Sequence, residues 1–159
     1  MTPLTIDTQI GKPKADNVMS KLVKFAEFGD HRGGLVALEE GSEIPFKIKR
    51  IYYIYNTSPS ISRGFHAHEN LKQVVICVSG QCRFVVESEH GREEYILNNP
   101  AEGVFIEGLK WREMHDLSSD CVLLVVASEV YNDRDYIRNY DEFRQLLKRR
   151  TGVGLDHGD

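Results

Sequence analysis

Short runs in which β-branched and aromatic residues alternate with polar ones recur along the chain roughly every ten residues, the spacing of strands in sandwiches and barrels. They occupy 21–28, 34–39, 47–55, 64–68, 72–79, 82–87, 93–97, 103–107 and 121–129. Turn chemistry separates them. Ser79-Gly80 and Glu89-His90-Gly91 fall where tight turns join neighbouring strands, and Asn98-Asn99-Pro100 supplies a wider bend. The pattern predicts an all-β fold, an antiparallel meander or jelly roll. Only the end of the chain is helical in character: 139–151 has acids at Asp141 and Glu142, cations at Lys148, Arg149 and Arg150, and then Gly152. That helix is expected to pack outside the sheets. Residues 1–19 are polar, are interrupted by Pro3, Gly11 and Pro13, and read as an arm.

At 159 residues the chain suits one domain, 1–159, able to bury a core without staples. Its 20 basic against 24 acidic residues, a net charge of -4, argue against a nucleic-acid partner. The three cysteines, Cys77, Cys82 and Cys121, are an odd number set in apolar runs, so they read as reduced thiols packed as small hydrophobes. No stretch is apolar enough for a membrane-spanning segment, and a cytoplasmic protein is expected.

The chemistry concentrates in Arg63-Gly-Phe-His-Ala-His. On a strand, His66 and His68 project to one face while Phe65 and Ala67 project to the other. Two imidazoles on one wall can chelate a divalent metal or move protons near neutral pH. The pair alone does not choose between the two. Tyr52, Tyr53 and Tyr55 share another strand, with Tyr53 and Tyr55 on one face, and Tyr53 is the candidate for lining a cavity. Arg63 and Arg32 are candidate anion or ketone contacts, because guanidinium forks match phosphate oxygens.

The glycine before the histidines and Gly80 after the next strand resemble the first cupin motif, with Gln73 where that motif usually has its ligand glutamate. The second cupin motif ends in Gly-x-x-His, and the similar stretch here, Gly108-Leu-Lys-Trp111, ends in an indole. Gln is a poor metal ligand and indole offers only an N–H donor. The resemblance therefore implies a cupin jelly-roll barrel without metal or other cofactor.

More closely, the chain resembles the sugar-nucleotide 3,4-ketoisomerases of that superfamily over about 23–143. The resemblance rests on Asp30-His-Arg-Gly-Gly-Leu, Pro45-Phe-Lys-Ile-Lys-Arg-Ile-Tyr-Tyr-Ile, the histidine segment, Gln73-Val-Val-Ile-Cys-Val-Ser-Gly, Trp111-Arg-Glu-Met and Asp135-Tyr-Ile-Arg, in the same order. Glu69 departs from the lysine common there. The resemblance implies conversion of dTDP-4-keto-6-deoxyglucose to a dTDP-3-keto-6-deoxyhexose through an enediol, in deoxysugar and O-antigen biosynthesis. His66 and His68 would be the acid and base, with Arg63, Arg32, His115, Tyr53, Trp111 and Gln73 around the substrate. Arg32 and His115 would favour the galacto product. It also implies a homodimer exchanging N-terminal strands. Two rivals are a metal-dependent cupin dioxygenase using His66, His68, Gln73 and His115, and a non-catalytic nucleotide-sugar-binding module.

Overall fold

A computed structural model of the chain describes residues 20–152, so the expected arm at 1–19 lies outside the described residues. A five-stranded antiparallel sheet contains β1 (Lys21–Lys24), β4 (Arg50–Ile54), β6 (Gln73–Ser79), β9 (Glu102–Ile106) and β11 (Val122–Ala127), in the order β1-β9-β6-β11-β4. A four-stranded sheet contains β5 (Arg63–His68), β7 (Cys82–Ser88), β8 (Gly91–Leu97) and β10 (Lys110–His115), in the order β5-β10-β7-β8. The hairpin of β2 (Glu27–Asp30) and β3 (Gly33–Val36) forms a separate two-stranded sheet. The chain closes with a 3-10 turn at Asp133–Asp135 and helix α1, Tyr140–Thr151.

The two larger sheets face one another across a core that draws Val75, Val104 and Val125 from one and Phe84, Val86 and Met114 from the other. This is the cupin-like jelly-roll arrangement. Strand β6 is apolar on both faces because both are covered: Val75 and Cys77 enter the core, while Val74 and Ile76 lie under Ile44 and Phe46 from the loop before β4. Strand β4 keeps the ordinary alternation, with Tyr52 and Ile54 against the core and Ile51 and Tyr53 outside. Cys77, Cys82 and Cys121 are free and buried, and burial pushes the Cys77 and Cys82 thiols up to about 12. They act as the small hydrophobes expected from the sequence.

Helix α1 starts at Asn139, whose side chain accepts the Glu142 N–H, and stops at Gly152 in the left-handed conformation. Phe143 and Leu147 pack with Ala67 and Trp111 on the outer face of the four-stranded sheet. The elements depart from the sequence reading in several places. The run at 21–28 is two strands, because the chain leaves the large sheet at Phe25, whose N–H donates to Ala101. The run at 47–55 narrows to β4. Strand β10, which the sequence reading missed, sits between β5 and β7.

Candidate active site

Strands β5 and β10 build one wall of the site. Their register runs His68 to Lys110 and His66 to Arg112, then slips at a bulge, so that Gly64 meets Glu113 and Arg63 meets Met114. Phe65 is the extra residue, at φ 49, and Gly64 sits at φ 96. A Cβ on Gly64 would lie 3.1 Å from the Arg112 carbonyl oxygen, which is why the position takes glycine. The bulge has a consequence for the site. It puts Arg63 opposite the core residue Met114, at the register of the histidine face, although Arg63 itself is exposed.

His66 and His68 lie together on that face, with ring centroids 4.9 Å apart and planes at 87°. Their partners differ. The Nδ1 of His66 donates to the Gly64 carbonyl at 3.0 Å, and the Nδ1 of His68 donates to Asp135 Oδ2 at 2.8 Å. Asp135 arrives on the segment between β11 and α1, which is pinned to β5 by two hydrogen bonds: Ala67 N–H to the Ile137 carbonyl at 2.9 Å and Ile137 N–H to the Ala67 carbonyl at 3.0 Å. Because Ala67 separates the two histidines, this bridge also lays Tyr136 against both rings, at 5.1 and 4.4 Å between centroids.

Behind the histidines is a fully buried cation. One Arg112 nitrogen, Nη1, donates to Gln73 Oε1, and Nη2 donates to the Lys110 carbonyl at 3.0 Å. Gln73 Nε2 then donates to the Tyr52 hydroxyl at 3.1 Å. Three buried polar side-chain atoms among the described residues lack a protein partner: His68 Nε2, Arg112 Nε and Arg50 Nε. Buried polar groups left unpaired are costly, and the clustering of these three marks a place where a polar ligand or water belongs.

Electrostatics keep both imidazoles neutral. Burial, helped by the Arg112 charge, lowers His66 to about 4. Burial, then Arg112, His66 and Arg50, lowers His68 to about 2. Arg112 is lowered to about 10 by burial and stays cationic at neutral pH. The wall therefore combines two unprotonated imidazoles with a fixed positive charge, the combination needed to take a proton and stabilise the oxyanion left behind.

The other residues singled out from sequence are scattered. Gln73 lies at the site. Trp111 is a correction: it points to the outer face, packs against Tyr140 and Phe143, and donates to Glu113 Oε1 at 3.0 Å. The inward position of this segment belongs to its neighbour Arg112. His115 also occupies the outward set of β10, where its Nε2 is 2.7 Å from Glu113 Oε2 and its Nδ1 is 2.8 Å from Ser62 Oγ. Tyr53 is exposed on the far face of its strand, and Tyr52 takes the inward place. Arg32 sits at the turn of the β2–β3 hairpin, paired with Asp30 at 2.5 Å.

Sequence reasoning missed Arg112, Asp135 and Arg50, and of the three tyrosines it chose Tyr53 where the inward one is Tyr52. A strand assignment for 110–115 would have found Arg112 by parity. The Asp135 contact joins residues 67 apart and leaves no local signal.

The donor set does not fit the metal that the cupin architecture often holds. Gln73 turns its carbonyl oxygen to Arg112, and that guanidinium occupies the inward position beside the histidines with a positive charge a divalent cation would oppose. Asp135 is committed to His68 Nδ1.

A cupin-like barrel with a neutral histidine pair beside a buried arginine is what the fold and the site define. The chain belongs to the family described as FdtA: WxcM-like, C-terminal, whose model matches residues 18–148. It is 45% identical over 130 residues, 82% of this chain and 94% of the relative, to TDP-4-oxo-6-deoxy-alpha-D-glucose-3,4-oxoisomerase of Aneurinibacillus thermoaerophilus. It is similar to the crystal structure of a 3,4-ketoisomerase from Helicobacter canadensis, with a TM-score of 0.80 and 46% identity over 83% of this chain and 99% of that one. It is likewise similar to QdtA, a sugar 3,4-ketoisomerase of Thermoanaerobacterium thermosaccharolyticum in complex with TDP, with a TM-score of 0.80 and 43% identity over 82% and 96% of the two chains.

Proposed function

We propose that this protein is an isomerase that converts dTDP-4-keto-6-deoxyglucose to the corresponding 3-keto sugar. The observation that carries the reading is the neutral pair His66 and His68 beside buried Arg112, with His68 Nε2 unpaired. In the reaction the carbon-3 hydrogen leaves as a proton to an imidazole, and the C–H electrons form the carbon 3–carbon 4 double bond of an enediolate. The hydroxyl proton on oxygen 3 passes to oxygen 4, and reprotonation at carbon 4 then places the carbonyl at carbon 3. Atoms and electrons balance within the sugar, so no redox partner enters. His66 and His68 divide these proton movements. Arg112 supplies fixed charge to the developing oxyanion, and Arg63, exposed on the same strand as the histidines, would meet the diphosphate.

The expected product is the galacto epimer, with Arg32 as the residue reaching the far side of the ring. His115, turned toward Glu113 on the outer face, has no part in this reading. Arg32 lies on the detached hairpin, so it would act on the site of a second copy. A homodimer exchanging N-terminal strands supplies this arrangement, and three features support it. An isolated two-stranded hairpin is marginal in water, and Phe28 and Leu35 on it are exposed. A groove of about 380 Å³ lined by Leu35, Val36, Ile76, Val78 and Leu124 opens beside it. Among the described residues, strand β4 has no neighbour on its outer edge. A cytoplasmic location is proposed with it, in keeping with three free thiols.

Proton NMR of dTDP-4-keto-6-deoxyglucose incubated with the protein tests the reading. A new 3-keto hexose with an axial carbon-4 hydroxyl supports it, whereas the equatorial epimer overturns the galacto assignment. Tight binding of the nucleotide sugar with no new product would favour a non-catalytic binding module.

A further inference from the structure

The segment between β11 and α1 does more than cap the barrel. Its bridge to Ala67 fixes Asp135 at the Nδ1 of His68, on the opposite side of the ring from the buried, unpaired Nε2. A carboxylate accepts but does not donate, so this contact demands a hydrogen on Nδ1 and leaves the lone pair on Nε2. His66 lacks an equivalent ionic partner, having only the Gly64 carbonyl. Once a proton reaches Nε2 of His68, the resulting imidazolium is paired with Asp135 inside a site that otherwise presents like charge.

We propose that Asp135 is a positioning residue of the isomerisation: through its hydrogen bond to Nδ1 it holds the His68 ring in the tautomer whose Nε2 takes and returns a substrate proton. The proposal rests on the isomerase reading of the preceding subsection. It gives the two histidines unequal environments, one braced by a carboxylate and one by a backbone carbonyl. The charged and titratable groups around the histidine pair are Lys110 and Arg112 on β10, Arg50 and Tyr52 on β4, and Asp135, Tyr136 and Arg138 on the bridging segment. Of these, Asp135 is the one carboxyl group in direct contact with the His68 ring; burial raises it above the ordinary carboxylate range, and the Arg112 and Arg50 charges work against that rise.

The test has a substrate-free arm and a kinetic arm. In nitrogen-15 NMR of the imidazoles in the full-length protein, the proposal expects His68 to carry its hydrogen on Nδ1. A hydrogen on Nε2 in the wild-type protein overturns it, whatever the activity. In the kinetic arm, Asp135→Asn is expected to lower kcat about 100-fold with KM little changed, the scale of a misplaced reacting group. The acid limb of kcat/KM should move to lower pH, because the imidazolium has lost its counter-charge, and Asp135→Glu should restore part of the rate. Wild-type kcat in Asp135→Asn overturns the proposal. So does a parallel loss of kcat, TDP binding and thermal stability with the tautomer unchanged, which is the signature of a merely structural contact. Wild-type protein with the expected tautomer but no isomerisation would contradict the isomerase reading and leave the Asp135–His68 pairing standing.

Discussion

His66 and His68 are neutral in the folded chain because burial and Arg112 penalise the imidazolium, and that penalty is readable in stability as well as in catalysis. An unfolded histidine titrates near 6.5, whereas these two are held to about 4 and about 2. The unfolded state therefore binds protons first, so the stabilising preference for neutral rings is complete above pH 6.5 and drains away as pH falls toward 4 and below. Urea midpoints should fall through that window more steeply for the wild type than for a His66→Asn, His68→Asn double variant. Equal slopes would place the acid sensitivity elsewhere. Either single replacement should cut turnover by about 100-fold or more, the usual scale of a positioned acid or base, while TDP binding persists. The histidine pair was legible from residue type and strand parity. Trp111 was misjudged by one position because motif spacing was followed where parity decides, and the inward side chain is Arg112.

Strand β10 shows why the sequence was less legible at the scale of elements. Lys110-Trp-Arg-Glu-Met-His has charges at three of its six positions, so nothing in it announces a central strand. Two of its charges are met on opposite faces: Gln73 takes Arg112 on the inner face, and Arg92 of β8 joins the strand's own Trp111 and His115 around Glu113 on the outer. Burial alone would raise Glu113, but those three donors bring it down to about 2. Strands with one apolar face and the capped helix α1 were legible because local pattern and tertiary role agree there. The bulge between β5 and β10 was not, since it depends on pairing. Its glycine gives a direct check. Gly64→Ala must place a Cβ 3.1 Å from a backbone oxygen at φ +96, and should cost about 1–3 kcal/mol of stability. Calorimetry should show the melting point falling, and kcat should fall further than stability alone explains, because His66 hangs from the bulge. An unchanged melting point would mean that β5 pairs with β10 in another register.

At the scale of the whole molecule, the described chain leaves apolar surface where a soluble monomer would be expected to cover it: Ile51 and Tyr53 on β4, Tyr55 just after it, and Phe28 and Leu35 on the hairpin. If a second copy covers that face, Leu35→Asp should convert a dimer to a monomer in light scattering and lower activity by withdrawing Arg32, with the His66 and His68 signals unchanged in NMR. A monomeric wild-type protein would contradict the exchange. None of the described helices is long and apolar enough to cross a membrane. The central claim is that two imidazoles shift the carbonyl by moving protons, with no metal in the path. It is tested most directly by mass spectrometry of dTDP-4-keto-6-deoxyglucose converted in deuterium oxide by chelator-treated protein. The account predicts a 3-keto product carrying solvent deuterium at carbon 4, formed at the untreated rate and lost in His66→Asn and His68→Asn. Activity that disappears with chelation and returns with a divalent cation would contradict it.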